Sequence, residues 1–133
     1  MKEKLKKLLE NAYAPYSNYQ VACIVVMKDG KEFPGVNVEN ASYGATICAE
    51  RNAITSAISN GYKKNDFESI YVMVNHEKIG TCCFICRQVI SEFFDKDASI
   101  ICMNKDDIEK EFKVSDFCPY PFDEENLIWK VVL

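Results

Sequence analysis

The sequence predicts an α/β fold, on three observations. Apolar runs of strand length alternate with amphipathic helical stretches, strand-helix-strand occurs twice in succession, and an Asp-Gly hairpin signal separates the first two runs. Two successive strand-helix-strand units imply parallel strands joined by right-handed crossovers, with helices covering the sheet. A chain of 133 residues builds one hydrophobic core and is too short for two, so residues 1–133 are expected to form a single domain.

Met1 to Glu10 intersperses lysines among Leu5, Leu8 and Leu9 and reads as a short amphipathic helix. Ala14-Pro15-Tyr16-Ser17-Asn18 is a turn cluster, after which Tyr19 to Met27 is the first strand. Lys28-Asp29-Gly30-Lys31 turns the chain, and Glu32 to Val38 returns antiparallel. Ile47 to Ser59 carries Ala49, Ala53, Ile54, Ala57 and Ile58 at helical spacing, and Asn60-Gly61 stops it. Phe67 to Val74 is the third strand, Cys83 to Phe94 a helix with Val89, Ile90, Phe93 and Phe94 on its apolar side, and Ala98 to Met103 the fourth strand. Lys110 to Val114 is read as a short fifth strand and Ser115 as the cap of a helical turn, while Asp123 to Leu133 receives no element.

Composition excludes several classes. With 48% hydrophobic and 27% charged residues the chain is neither disordered nor fibrous. Sixteen Lys+Arg against twenty Asp+Glu give 16 − 20 = −4 and no basic stripe, which argues against a long nucleic acid as partner. The longest apolar run, Val21 to Met27, falls well short of the ~20 residues of a membrane span. The amino terminus lacks the unbroken apolar stretch of a signal peptide, so a cytoplasmic protein is expected. Seven cysteines, an odd number, then point to reduced thiols and a metal rather than to a disulfide framework.

The two crossover helices should begin beside the same crevice at the carboxyl edge of the strands, where open α/β sheets bind ligands. One opens with Cys48-Ala49-Glu50-Arg51 and the other with Cys82-Cys83-Phe84-Ile85-Cys86. Cys83 and Cys86, three apart, share a face of a first helical turn, where free amides and the helix dipole favour thiolates. That spacing suits zinc, a redox pair or two buried cysteines equally. Cys48 facing them across the crevice makes three protein ligands and leaves zinc's fourth tetrahedral position to water, the mark of a catalytic site.

Glu50, two residues from Cys48, reaches the same metal only from the open first turn of its helix. Outside the coordination shell, such a carboxylate takes a proton from water and passes it to a leaving group; its structural alternative is a residue that merely complements the helix dipole. Three thiolates and a divalent ion sum to −1, and Arg51, at i+3 from Cys48, is the candidate to offset that charge from outside the ligand set. Cys23, Cys82, Cys102 and Cys118 are read as structural, with Cys102 alternating into the core, and His76, the single histidine, as a solvated loop residue.

These residues closely resemble the cytidine deaminase family, in its small, homotetrameric, three-cysteine zinc form. The similarity runs through Ala12 to Tyr19, Gly35 to Gly44, Cys48-Ala49-Glu50-Arg51, and Cys83 to Val89 with its Cys-Arg-Gln-Val ending. The resemblance implies a three-layer α-β-α sandwich around a mixed, mostly parallel five-stranded sheet. It implies one zinc ion per subunit on Cys48, Cys83 and Cys86, with Glu50 shuttling the proton as hydroxide attacks C4 of cytosine and ammonia leaves, a step of pyrimidine salvage. By the same resemblance Asn37 and Glu39 hold the ribose hydroxyls, Tyr19 stacks on the pyrimidine, Ala49 contacts substrate, and Phe122 and Tyr43 point to sites shared between the subunits of a homotetramer.

This chain departs from the family where Pro-Cys-Gly-x-Cys is usual: Cys82 stands for the proline and Phe84 for the glycine, so subunit packing and pocket shape are expected to differ. Two rival functions follow from the residues. One is deamination of another aminopyrimidine nucleoside such as blasticidin S, against which the Asn37 and Glu39 pair argues. The other is a noncatalytic four-cysteine zinc module closed by Cys82 or Cys102. A nucleic-acid deaminase fits the acidic balance poorly, and a thioredoxin-like protein explains neither Cys48 nor Glu50.

Overall fold

The structure, a computed structural model, describes residues 1–127. Helix α1 (Lys2–Leu9) buries Leu5 completely. Strands β1 (Val21–Met27) and β2 (Glu32–Val36) form the expected hairpin. Gly30 takes φ +90° at its tip, a value that the missing Cβ makes accessible, and Asp29 Oδ1 accepts from Lys31 N at 3.0 Å. Beyond β2 the chain stays extended, because Val38 bridges to both Tyr13 and Ile47.

Helix α2 (Ala49–Ser59) begins after Cys48, its N-cap, and so starts later than the Ile47 read from periodicity. Strand β3 (Phe67–Val74), helix α3 (Phe84–Phe93), strand β4 (Phe94–Met103) and strand β5 (Glu109–Lys113) follow. In the short helix α4 (Val114–Phe117), Ser115 is an interior residue and not the cap; Lys113 is the N-cap, and Asp116 Oδ2 accepts from its backbone N–H at 2.9 Å. A carboxylate in the first turn both satisfies that donor and complements the dipole. Within the unassigned tail a 3-10 turn covers Glu124–Asn126, and 128–133 lie outside the described residues.

The sheet order is β2-β1-β3-β4-β5. Only β3 and β4 are parallel neighbours, whereas β1 pairs antiparallel with both β2 and β3, and β5 antiparallel with β4. The sheet is therefore mostly antiparallel, which corrects the mostly parallel expectation. The hairpin is the cause. β1 folds back and inserts between β2 and β3, so the crossover through α2 joins strands that share a direction without sharing hydrogen bonds. Because β2, β3 and β4 all run the same way, α2 and α3 still start at one edge of the sheet.

Three layers result. Cys23, Val25, Val72, Ile100 and Cys102 form one core with residues of α2, α3 and α4, while Ala22, Ile24, Met73, Ile101 and Met103 pack under Leu5 of α1 on the other face. Burial on both faces explains why β1, β3 and the end of β4 read as nearly continuous apolar runs. A Cβ on Gly35 would sit 2.4 Å from the Ala49 carbonyl oxygen and 2.6 Å from the Ala53 nitrogen, so β2 and α2 meet backbone to backbone. That contact seats the first turn of α2. Among the described residues no helix is long and apolar enough to cross a membrane.

Candidate active site

Cys48 and Cys83 occupy equivalent places, each the extended N-cap residue of its helix, and Cys86 lies in the first turn of α3. The three sulfurs are all within 4.8 Å of one another, with Cys48 and Cys83 3.7 Å apart. A disulfide needs about 2.05 Å, and all the cysteines are free. Thiolates bound to zinc at ~2.3 Å in tetrahedral directions stand about 3.8 Å apart, so the donor set fits that ion. Cys83 Sγ also accepts from the Cys86 backbone N–H at 3.4 Å, which fixes the pair in the helix start. Neither Cys82, Cys102 nor His76 belongs to the group.

Glu50 falls in the first turn of α2, is only 4% exposed, and accepts from the Cys86 thiol at 3.4 Å. Burial pushes its carboxyl upward from the ordinary range, the direction that suits a group exchanging protons near neutrality. Arg51 Nη2 donates to Cys48 Sγ at 3.4 Å, and its buried Nε has no partner. The Cys48 thiol is lowered to about 5, first by the hydrogen bond from Cys86 and then, against burial, by Arg51. A guanidinium aimed at sulfur, with a donor to spare, matches a cluster that gathers negative charge when its thiols ionise around a metal.

A cavity of about 400 Å³ opens over these groups. Tyr19, Asn37, Glu39, Cys48, Ala49, Glu50 and Cys83 line it. Asn37 and Glu39 face it together because they flank Val38 in extended chain, where alternate residues share a side. The Asn37 side chain accepts from Val21 N at 2.9 Å and donates to Tyr19 O at 2.7 Å, which leaves one amide N–H and one carbonyl lone pair uncommitted. Glu39 accepts from the backbone N–H groups of Tyr16 (3.0 Å) and Ser17 (3.1 Å) and from the Ser17 hydroxyl, and that hydroxyl holds its carboxyl below the usual range.

Tyr43 and Phe122 are placed elsewhere. Tyr43, 79% exposed, sits edge-on to Tyr16 beside a separate outer groove. The Phe122 ring is 56% exposed, and its carbonyl accepts from Gln88 Nε2 at 2.6 Å.

Four further residues join the lining: Ser17, Gly80 and Thr81, which carry no role in the sequence reading, and Cys82, which is read there as structural. A Cβ on Gly80 would come within 2.6 Å of Tyr19 Oη and 2.7 Å of Val74 Cγ1, so this glycine marks a close approach behind the Tyr19 ring. His76 is exposed, as expected of a loop residue, and its ring centroid is 4.8 Å from that of Tyr19. Thr81 directly precedes the Cys82-Cys83 start of α3, and carrying the helix-start argument one residue upstream reaches it.

Comparison with known proteins agrees with this geometry. The model of the cytidine and deoxycytidylate deaminase zinc-binding region matches residues 1–102. A cytidine deaminase of Halalkalibacterium halodurans is 39% identical over 118 residues, covering 89% of this chain and 88% of that protein. One of Mycoplasma genitalium is 34% identical over 114 residues, 86% of each chain. The crystal structure of cytidine deaminase from Burkholderia pseudomallei superposes with a TM-score of 0.86 at 39% identity, covering 90% of this chain and 94% of that one. A match over most of the chain, with three sulfurs set for one zinc ion beside a buried carboxylate, makes this protein a member of the cytidine and deoxycytidylate deaminase family.

Proposed function

We propose that the protein, acting as a single domain over residues 1–133, hydrolyses free cytidine and deoxycytidine to uridine and deoxyuridine with release of ammonia, a step of pyrimidine salvage. The observation that carries this reading is Glu50, a buried carboxylate that touches the three-sulfur group at the floor of a cavity sized for a small molecule. Cys48, Cys83 and Cys86 would hold zinc, which when bound supplies Lewis acidity and lowers the pKa of a water molecule. Glu50 takes the two protons of the attacking water in turn and delivers one to the pyrimidine ring nitrogen and one to the departing amine, so that water's oxygen replaces the amino group at C4 and ammonia leaves. Arg51 draws charge from Cys48 through its 3.4 Å contact.

Substrate is oriented by the remaining lining. The uncommitted amide N–H of Asn37 and the carboxylate of Glu39 take the ribose hydroxyls, the Tyr19 ring stacks on the base, and Ala49 borders it at the start of α2. Tyr43 and Phe122, exposed and outside the cavity of their own chain, are offered to the sites of neighbouring subunits in a cytoplasmic homotetramer.

Purified protein, assayed for ammonia with cytidine, deoxycytidine, cytosine and blasticidin S and analysed for zinc, tests this. Turnover of the two nucleosides with one zinc per chain is the expected result. Turnover of blasticidin S alone would transfer the site to that substrate, and zinc without any ammonia release would leave only the noncatalytic module.

A further inference from the structure

The turn that delivers Cys83 to its place is held in an unusual way. Cys82 adopts φ +67°, in the left-handed region that side-chain-bearing residues rarely occupy. Such a conformation persists only where the surroundings over-determine it, and here it directly precedes a residue whose sulfur must be placed to a fraction of an ångström.

One side chain supplies most of the restraint. Arg87 Nε donates to the Cys82 carbonyl at 3.0 Å, its Nη2 donates to Thr81 Oγ1 at 3.0 Å, and its Nη1 donates to the Phe117 carbonyl at 3.4 Å. The guanidinium carbon lies 4.5 Å from the ring centroids of both Phe84 and Phe117. The fork thus reads two consecutive residues of the turn while two aromatic rings hold its plane, and α4 is the anchor behind it.

We infer that Arg87 is a positioning residue for the zinc site: packed against the rings of Phe84 and Phe117, it clamps the Thr81-Cys82 turn, left-handed at Cys82, that sets the sulfur of Cys83. Arg87 is neither one of the sulfur donors nor itself a cavity-lining residue, and it reaches the site only through Thr81 and Cys82, so it acts through the turn. A lysine cannot replace it, since an ammonium is a point charge with no planar fork and no flat face to stack. The inference rests on the zinc reading of Cys48, Cys83 and Cys86.

The test is the rate at which zinc-loaded protein releases its metal to excess chromogenic chelator, with thermal unfolding recorded alongside. Arg87→Ala and Arg87→Lys are expected to release zinc about 10–100-fold faster than wild type, the range typical of lost support around metal ligands. Leu5→Ala, which removes packing on the opposite face of the sheet, is the stability control. Release within twofold of wild type in Arg87→Lys overturns the inference, as does acceleration no greater than that of a Leu5→Ala protein with an equal loss of melting temperature. If Arg87→Ala does not fold, Arg87→Lys alone decides. Wild-type protein that binds no zinc would instead defeat the metal-site reading, and this inference with it.

Discussion

Glu50 Oε2 and Cys86 Sγ lie 3.4 Å apart although the two residues stand on different helices. They meet because α2 and α3 both begin at the same sheet edge and each contributes its first turn. The contact ties the carboxylate to the metal donors without making it one of them. Glu50→Gln keeps the shape and removes the proton acceptor, so the variant should retain its zinc and lose deamination by ~100-fold or more. Metal analysis and ammonia release on the same sample check this, and turnover near the wild-type rate would defeat the proton-shuttle role.

Gly35 controls that contact from a distance. An added methyl would press on the Ala49 carbonyl at 2.4 Å and the Ala53 nitrogen at 2.6 Å, both backbone atoms with nowhere to go. Gly35→Ala must push the first turn of α2 away from β2, and Cys48 and Glu50 move with it. Overpacking of this kind costs about 1–3 kcal/mol, so a lowered melting temperature is expected together with reduced kcat. Calorimetry and steady-state kinetics on the variant would expose the error if both stayed at wild-type values.

How far the sequence reaches differs from feature to feature. The strands, both crossover helices and the sulfur donors were legible, because burial on two faces writes apolar runs into β1 and β3 and because the helix starts carry their chemistry locally. Strand order was not. Nothing local records that β1 lies between β2 and β3, since that pairing joins Cys23 to Val72, far along the chain, and the parallel reading failed there. The hydroxyl of Ser115 favours a cap position, but the helix starts one residue before it, with Lys113 as N-cap and Asp116 accepting from its N–H. The left-handed turn at Cys82 and its restraint by Arg87 depend on φ and on α4, which no spacing rule encodes.

Arg51 offers a second handle on the metal donors. Its Nη2 lies 3.4 Å from Cys48 Sγ and donates to it. Arg51→Gln preserves length and hydrogen bonding but removes the charge that offsets three thiolates. Zinc affinity should fall about 10–100-fold, measured by competition with a chelator of known affinity. Unchanged affinity would return Arg51 to a packing role.

Removal of the metal should be reversible, because the thiols are free and Cys48 and Cys83, 3.7 Å apart, are already close to the spacing that a tetrahedral ion imposes. Chelation under reducing conditions is expected to abolish ammonia release, and one equivalent of zinc to restore it. Cys86→Ala should not respond to added zinc. Full activity in the metal-stripped protein would remove zinc from the reaction.

Ser17 sets the state of Glu39. Its hydroxyl and backbone N–H, with the Tyr16 N–H, all point at that carboxylate, and the hydroxyl is the largest cause of its lowered pKa. A lowered pKa means that the group is ionised, and able to accept from ribose, down to a more acidic pH than an ordinary glutamate. Ser17→Ala lets the pKa rise back, so protonation begins at higher pH and the acid limb of kcat/KM should shift upward. With that restraint gone the carboxylate is less firmly held, so KM for cytidine should rise severalfold with kcat little changed. Free cytosine, lacking ribose, serves as the internal control: an equal effect on its turnover would place the loss in the chemistry and not in sugar binding.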